Sequence, residues 1–113
     1  MKTFTEIPDF TALTGVNPDH LARIIALLQT LFPELKRIII FGSRARGEFS
    51  QGADIDLALD CGQVIENRQR LQEAVDVLNV LRSVYQCDVV DYHRAKDLFL
   101  ALINQDGIVI WSK

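Results

Sequence analysis

Cysteine is nearly absent from this chain, with Cys61 and Cys87 the two among 113 residues. Two are too few for a disulfide framework of the kind that holds small secreted domains together. A basic excess is also missing. Twelve Lys and Arg face fifteen Asp and Glu for a net charge of −3, so the surface lacks the field that coats nucleic acid. No apolar run reaches the roughly 18 residues that span a bilayer. The longest candidate, Leu21–Phe32, is interrupted by Arg23, Gln29 and Thr30. Residues Met1–Glu6 carry no apolar segment of signal-peptide type. Three prolines, 49% hydrophobic and 24% charged residues exclude intrinsic disorder. There are no repeats and no low-complexity linker. The expected class is a cytoplasmic protein with one globular domain over residues 1–113, small enough to hold a single core.

What is present reads as alternating helices and strands. Residues 1–16, broken by Pro8, Asp9 and Gly15, form an N-terminal arm with one short helical turn after Asp9. Asn17-Pro18 has the form of an N-cap followed by proline at the first helical position. Leu21, Ile24, Ile25, Leu28, Leu31 and Phe32 then recur at helical spacing until Pro33. Lys36–Phe41 is a β-branched run closed by Gly42, and Asp54–Asp60 is a second strand ending at Gly62. A long amphipathic helix is predicted from about Val64 to Val84, with Leu71, Val75, Leu78 and Leu81 on one face. Gln86–Tyr92 is a third strand, Lys96–Gln105 a helix, and Ile108–Trp111 a last strand after the Asp106-Gly107 turn. The order α-β-β-α-β-α-β predicts an α/β (α+β) fold, with a mixed β-sheet of about four strands packed with helices.

The chemistry concentrates between residues 41 and 56. Gly42-Ser43 ends a strand, and backbone N–H groups and the Ser43 hydroxyl at such a junction can face an anion, helped by Arg44 or Arg46. Alone, this is ordinary turn chemistry. Asp54 and Asp56 leave one face of a strand about 6.6 Å apart. A solvated edge strand would look the same, although Ile55, Leu57 and Leu59 supply a good apolar face opposite. Topology favours a site. An antiparallel pairing of the first two strands brings Ser43 and Asp54 to one end of the sheet. The helical crossover from Asp60 to Gln86 has the length of a parallel βαβ unit, so Asp88 returns to that same end. Three carboxylates together need a cation, and hard oxygen donors favour Mg²⁺ or Mn²⁺ over Zn²⁺.

Gly42-Ser43, ten residues, then Asp54-x-Asp56 resembles the signature of the DNA polymerase β-type nucleotidyltransferase superfamily. The string GSRARGEFSQGADIDLAL is similar to its minimal (MNT) branch, and the likeness runs through Cys87–Asp91 and Asp106–Ile110. The resemblance implies that Asp54, Asp56 and Asp88 hold two Mg²⁺ ions, Mn²⁺ being an alternative, with Asp88 also a base for the attacking hydroxyl. It implies that Gly42 and Ser43 cradle a triphosphate, with Arg44 or Arg46 assisting, and that ATP is the donor. Ala53 departs from the serine usual in the family before the first aspartate. Small MNT proteins resemble antitoxins of toxin–antitoxin pairs, which transfer AMP from ATP onto a tyrosine hydroxyl of a helical HEPN ribonuclease toxin encoded alongside. The implied assembly is thus a hetero-oligomer, with no membrane and no direct nucleic-acid contact. Two alternatives stay open: an antitoxin that binds nucleotide and neutralises by contact alone, and the catalytic subunit of a two-component enzyme acting on a small molecule such as an aminoglycoside.

The remaining candidates take plainer readings. Asp91 should point away from Asp88 and be solvated or support the site indirectly. His20 and His93 read as surface residues and Trp111 as terminal packing. Cys61 and Cys87 are expected too far apart to bond.

Overall fold

Along the second predicted strand, Ile55, Leu57 and Leu59 alternate with Asp56, Ala58 and Asp60, and the two faces meet different partners. The computed structural model describes residues 1–80 and 86–113. Its strands are β1 (Lys2–Thr3), β2 (Arg37–Phe41), β3 (Ile55–Asp60), β4 (Cys87–Asp91) and β5 (Ile108–Ser112), in one mixed sheet of order β1-β5-β2-β3-β4. The helices are α1 (Phe10–Thr14), α2 (Pro18–Leu31), α3 (Gly42–Ala45), α4 (Gln69–Val80) and α5 (Asp97–Asp106). Short 3-10 turns span Phe4–Glu6 and Tyr92–Arg94.

The Ile55, Leu57 and Leu59 face joins Ile38, Ile40, Val89, Ile108 and Ile110 in the main core, against Leu21, Ile24 and Leu28 of α2 and Ala74 and Leu78 of α4. The other face is covered more thinly. There Ile39 and Ala58 meet Ile103 of α5, with Phe41, Val90, Tyr92 and Val109 half-buried beside them. Asp56 shares this second face with Ala58 by strand alternation.

Local chemistry explains the ends of the first two helices. Asp9 caps α1 by accepting from the Ala12 N–H at 3.0 Å, and Gly15, at φ +69°, terminates it. Asn17 caps α2 through the Asp19 N–H at 2.8 Å, with Pro18 at the first position. The helix closes on Phe32, whose N–H donates to the Leu28 carbonyl, just before Pro33.

The structure departs from expectation in three places. The arm adds a fifth strand: β1 pairs parallel with β5, Lys2 against Ile108 and Thr3 against Val109. The α4 helix begins at Gln69 rather than Val64, because the Ile65 side chain is buried and its N–H donates to Asp91 Oδ2 at 2.7 Å, holding that stretch as a loop. The Asn67 carboxamide then accepts from the Gln69 N–H as the helix opens. The expected continuation through Leu81 and Val84 lies outside the described residues. Finally, Gly42–Ala45 is a single helical turn where a plain turn was expected.

Candidate active site

Two strand pairings build the site. β2 and β3 are antiparallel with Phe41 opposite Asp56, and β3 and β4 are parallel with Asp56 opposite Asp88. Phe41, Asp56 and Asp88 therefore form one row across three adjacent strands, at a spacing of about 4.8 Å. β3 lies between β2 and β4, so the edge-strand alternative for its two acids is excluded. Asp54 precedes β3 by one residue and is exposed, as is Asp88, whereas Asp56 is half-buried.

Gly42 follows Phe41 and packs directly on this row. Its φ is +78°, and a Cβ there would collide with the Asp56 carboxylate at Oδ2. Glycine is thus required both for the backbone conformation and for the space that Asp56 occupies. Burial pushes the Asp56 carboxyl above its ordinary range, and Asp88 and then Asp54 push it in the same direction. Arg46 acts oppositely. The three predicted carboxylates share one electrostatic field.

The two arginines part company. Arg46 is at the surface, its Nε 3.1 Å from Glu48 Oε2 and its Nη1 3.2 Å from Asp106 Oδ2. Arg44 is 2% exposed and turned into the protein. Its Nε donates to the Ala53 carbonyl at 2.9 Å and its Nη1 to the Thr14 carbonyl at 2.8 Å, with the Phe49 ring centroid 4.7 Å from the guanidinium carbon. Ser43 is half-buried between Gly42 and Arg44, and α3 starts without a side-chain cap.

Asp91 faces away from Asp88 as expected, but it is not solvated. It is buried, accepting from the Ile65 and His93 N–H groups and lying 3.5 Å from Arg94 Nε, where it clips the loop before α4 to the end of β4. His93 is exposed, as expected, and its Nε2 lies 2.6 Å from Asp60 Oδ1. Burial would raise the Asp60 carboxyl, but hydrogen bonds from Arg37, the Gly62 N–H and His93 outweigh it and hold Asp60 below the usual carboxylate range. That cluster sits at the opposite end of β3 from Asp56. Sequence spacing gave no signal for it, because its members are separated by 23 and 33 positions. Cys61 and Cys87 are both buried and unbonded. Burial pushes both thiols up to about 11, with Glu34 adding to the effect at Cys61 and Asp54 at Cys87.

Among the described residues, no group of three or more His, Cys, Asp or Glu side chains is arranged to hold a metal ion as it stands. Asp54, Asp56 and Asp88 are hard carboxylate donors, and Asp88 and Asp54 both act against the charge on Asp56, which a cation would relieve. That chemistry fits a hard divalent ion.

A glycine-led helical turn after one strand, set against acids on the next two, is the framework of a nucleotide-transferring fold. The chain belongs to the polymerase beta, nucleotidyltransferase family, whose model matches residues 22–113. It is 29% identical over 90 residues to the protein adenylyltransferase MntA of Shewanella oneidensis, covering 80% of this chain and 63% of that protein. The chain thus spans less than two thirds of that relative's length. Among solved structures it is similar to a toxin–antitoxin with AMP-PNP, at TM-score 0.65 and 25% identity, over 82% of this chain and 73% of the other. It is equally similar, at TM-score 0.65 and 25% identity, to a chain of the tri-AMPylated Shewanella oneidensis HEPN toxin in complex with MNT antitoxin, over 83% and 71% of the two chains. No described helix is long and apolar enough to cross a membrane.

Proposed function

We propose that this protein is a metal-dependent protein adenylyltransferase, the antitoxin partner of a HEPN-type toxin, moving AMP from ATP to a tyrosine hydroxyl of that toxin. The observation that carries the reading is the single row in which Gly42 packs on Asp56 and Asp56 neighbours Asp88. The likeness to a named protein adenylyltransferase and to complexes carrying AMP-PNP or an AMPylated HEPN toxin supports the choice of donor and acceptor.

In this reading Asp54, Asp56 and Asp88 hold the divalent ions, Mg²⁺ or Mn²⁺. Bound there, such ions would neutralise charge on the attacking and leaving oxygens of an in-line displacement. The N–H groups of Gly42 and Ser43, with the Ser43 hydroxyl, cradle the triphosphate, and Arg46, exposed and acting by its charge on Asp56, assists. The acceptor oxygen forms a bond to the α-phosphorus while the bond to the bridging α–β oxygen breaks and pyrophosphate leaves. Asp88, exposed at the edge of the row, takes the acceptor's proton. Asp56, half-buried and pressed against Gly42, orients the site.

The test is incubation with Mg²⁺, ATP and the product of the adjacent gene, read by intact mass. Gain of AMP on that product by wild type, and none with Asp54→Asn/Asp56→Asn, is the expected result. No transfer, together with full neutralisation by the double variant, would replace the enzyme with a protein acting by contact. AMP on a small molecule instead would make it one subunit of a two-component transferase.

A further inference from the structure

The family match begins at residue 22, so α1 lies outside it, yet α1 is fastened to the signature loop at three points. Leu13 covers Gly47, where a Cβ would meet Leu13 Cδ1 at 2.9 Å. Gly15, at φ +69°, leaves the space that the Phe49 ring and the Arg44 guanidinium fill. The Thr14 carbonyl accepts from Arg44 Nη1 at 2.8 Å. Thr14 is itself fully buried, its hydroxyl donating to the Phe10 carbonyl at 2.8 Å and accepting from the Val16 N–H at 3.2 Å. A guanidinium this deeply buried is costly unless its donors are met, and here they bridge two separate stretches of backbone.

The second bridged group is the carbonyl of Ala53, the residue next to Asp54. This matters because the three acids are not held equally. Asp56 and Asp88 are fixed by the β3–β4 ladder, whereas Asp54 precedes β3. The connection leading to it passes through Gly47 and Gly52, both at positive φ, and is closed by short turns such as the Ala53 N–H to the Ser50 carbonyl.

We propose that Arg44 is a positioning residue through which the N-terminal helical turn, α1, fixes the backbone presenting Asp54. It acts through Ala53 and does not touch the nucleotide. The inference rests on the metal-site reading above for what Asp54 does, but the mechanical link is testable without it.

The experiment compares wild type with Arg44→Met, Arg44→Lys and Asp54→Asn by Mn²⁺ binding and by amide hydrogen exchange. Groups that orient a metal ligand contribute roughly 10–100-fold to metal affinity. Arg44→Met is expected to weaken Mn²⁺ binding by roughly tenfold or more, and Arg44→Lys, which keeps a donor, to recover part of it. Exchange should rise across residues 48–54 while the β2–β3 ladder stays protected. Unchanged Mn²⁺ affinity and unchanged exchange in a folded Arg44→Met protein would overturn the proposal. So would a uniform loss of protection with no recovery by lysine, the signature of a structural role alone. If Arg44→Met does not fold, Leu13→Ala loosens α1 on Gly47 without disturbing a buried charge. Faster exchange at residues 48–54 in that variant supports the link, and no change refutes it. If wild type binds no Mn²⁺, the metal reading falls and the exchange data still decide the role of Arg44.

Discussion

Replacing Asp56 with asparagine should stabilise the protein while destroying its activity. The substitution keeps the side chain's shape against Gly42 and removes a charge that burial, Asp88 and Asp54 all disfavour. Two unit charges about 5–7 Å apart interact by roughly 2–3 kcal/mol at an effective dielectric of 20 and by under about 1 kcal/mol in water. Since Asp54 and Asp88 are exposed, solvent screening places each pair toward the lower figure. Relief from both neighbours then comes to about 1–2 kcal/mol, or a rise in Tm of roughly 3–10 °C for a chain of this size. The raised carboxyl also fixes the pH dependence. The folded site holds its proton to higher pH than the unfolded chain does, so the ionised group costs stability as pH rises through and above the carboxylate range. The advantage of Asp56→Asn should therefore be full at neutral pH and fade in acid. Thermal melts followed by circular dichroism, in chelator at pH 7.5 and again in acid, measure this directly. Added Mn²⁺ should raise the wild-type Tm and narrow the gap, because binding to the folded state alone stabilises it. A variant that melts at or below the wild type in chelator at pH 7.5 would refute the electrostatic account of the site.

Gly42→Ala forces a Cβ into the Asp56 carboxylate at a positive φ. It should cost about 1–2 kcal/mol in backbone strain and, by displacing the Asp56 carboxylate, roughly 100-fold in transfer rate. Wild-type turnover in this variant would contradict the close approach. Asp60→Asn removes charge-assisted bonds to Arg37 and His93 and should destabilise by about 1.5–3 kcal/mol at neutral pH. Because the Asp60 carboxyl is held low, its stabilisation is present above the ordinary carboxylate range and lost as pH falls through its lowered value. The gap between variant and wild type should close in acid, and a constant gap would count against the network. Cys61 and Cys87, buried with thiols pushed up to about 11, should react slowly with thiol reagents at pH 7.5 until the protein unfolds. Rapid labelling of the native protein would place them elsewhere.

The parts legible in the sequence were those with strong local chemistry. Asp9 and Asn17-Pro18 cap their helices, and the βαβ spacing between Asp56 and Asp88 brings both to one row. The parts that escaped depend on pairings across the chain. β1 is two exposed residues with no alternation to read, and it exists because β5 offers an edge. Asp91 is seen to be buried only once Ile65 folds against it, and the exposed His93 meets Asp60 across 33 positions of sequence. Arg44 and Arg46 were indistinguishable as phosphate helpers. A single helical turn separates them, since residues two apart point about 200° away from one another, one inward and one out.

The central claim is that Asp54, Asp56 and Asp88, with Gly42 packed on Asp56, serve the transfer of AMP to a protein tyrosine. Intact-mass analysis of the adjacent gene's product, after incubation with this protein, ATP and Mg²⁺, tests it most directly. The account predicts addition of AMP that maps to tyrosine and disappears with Asp88→Asn, a variant expected to fold normally. Transfer that continues undiminished in Asp88→Asn, or no AMP on the product with wild type, would contradict it.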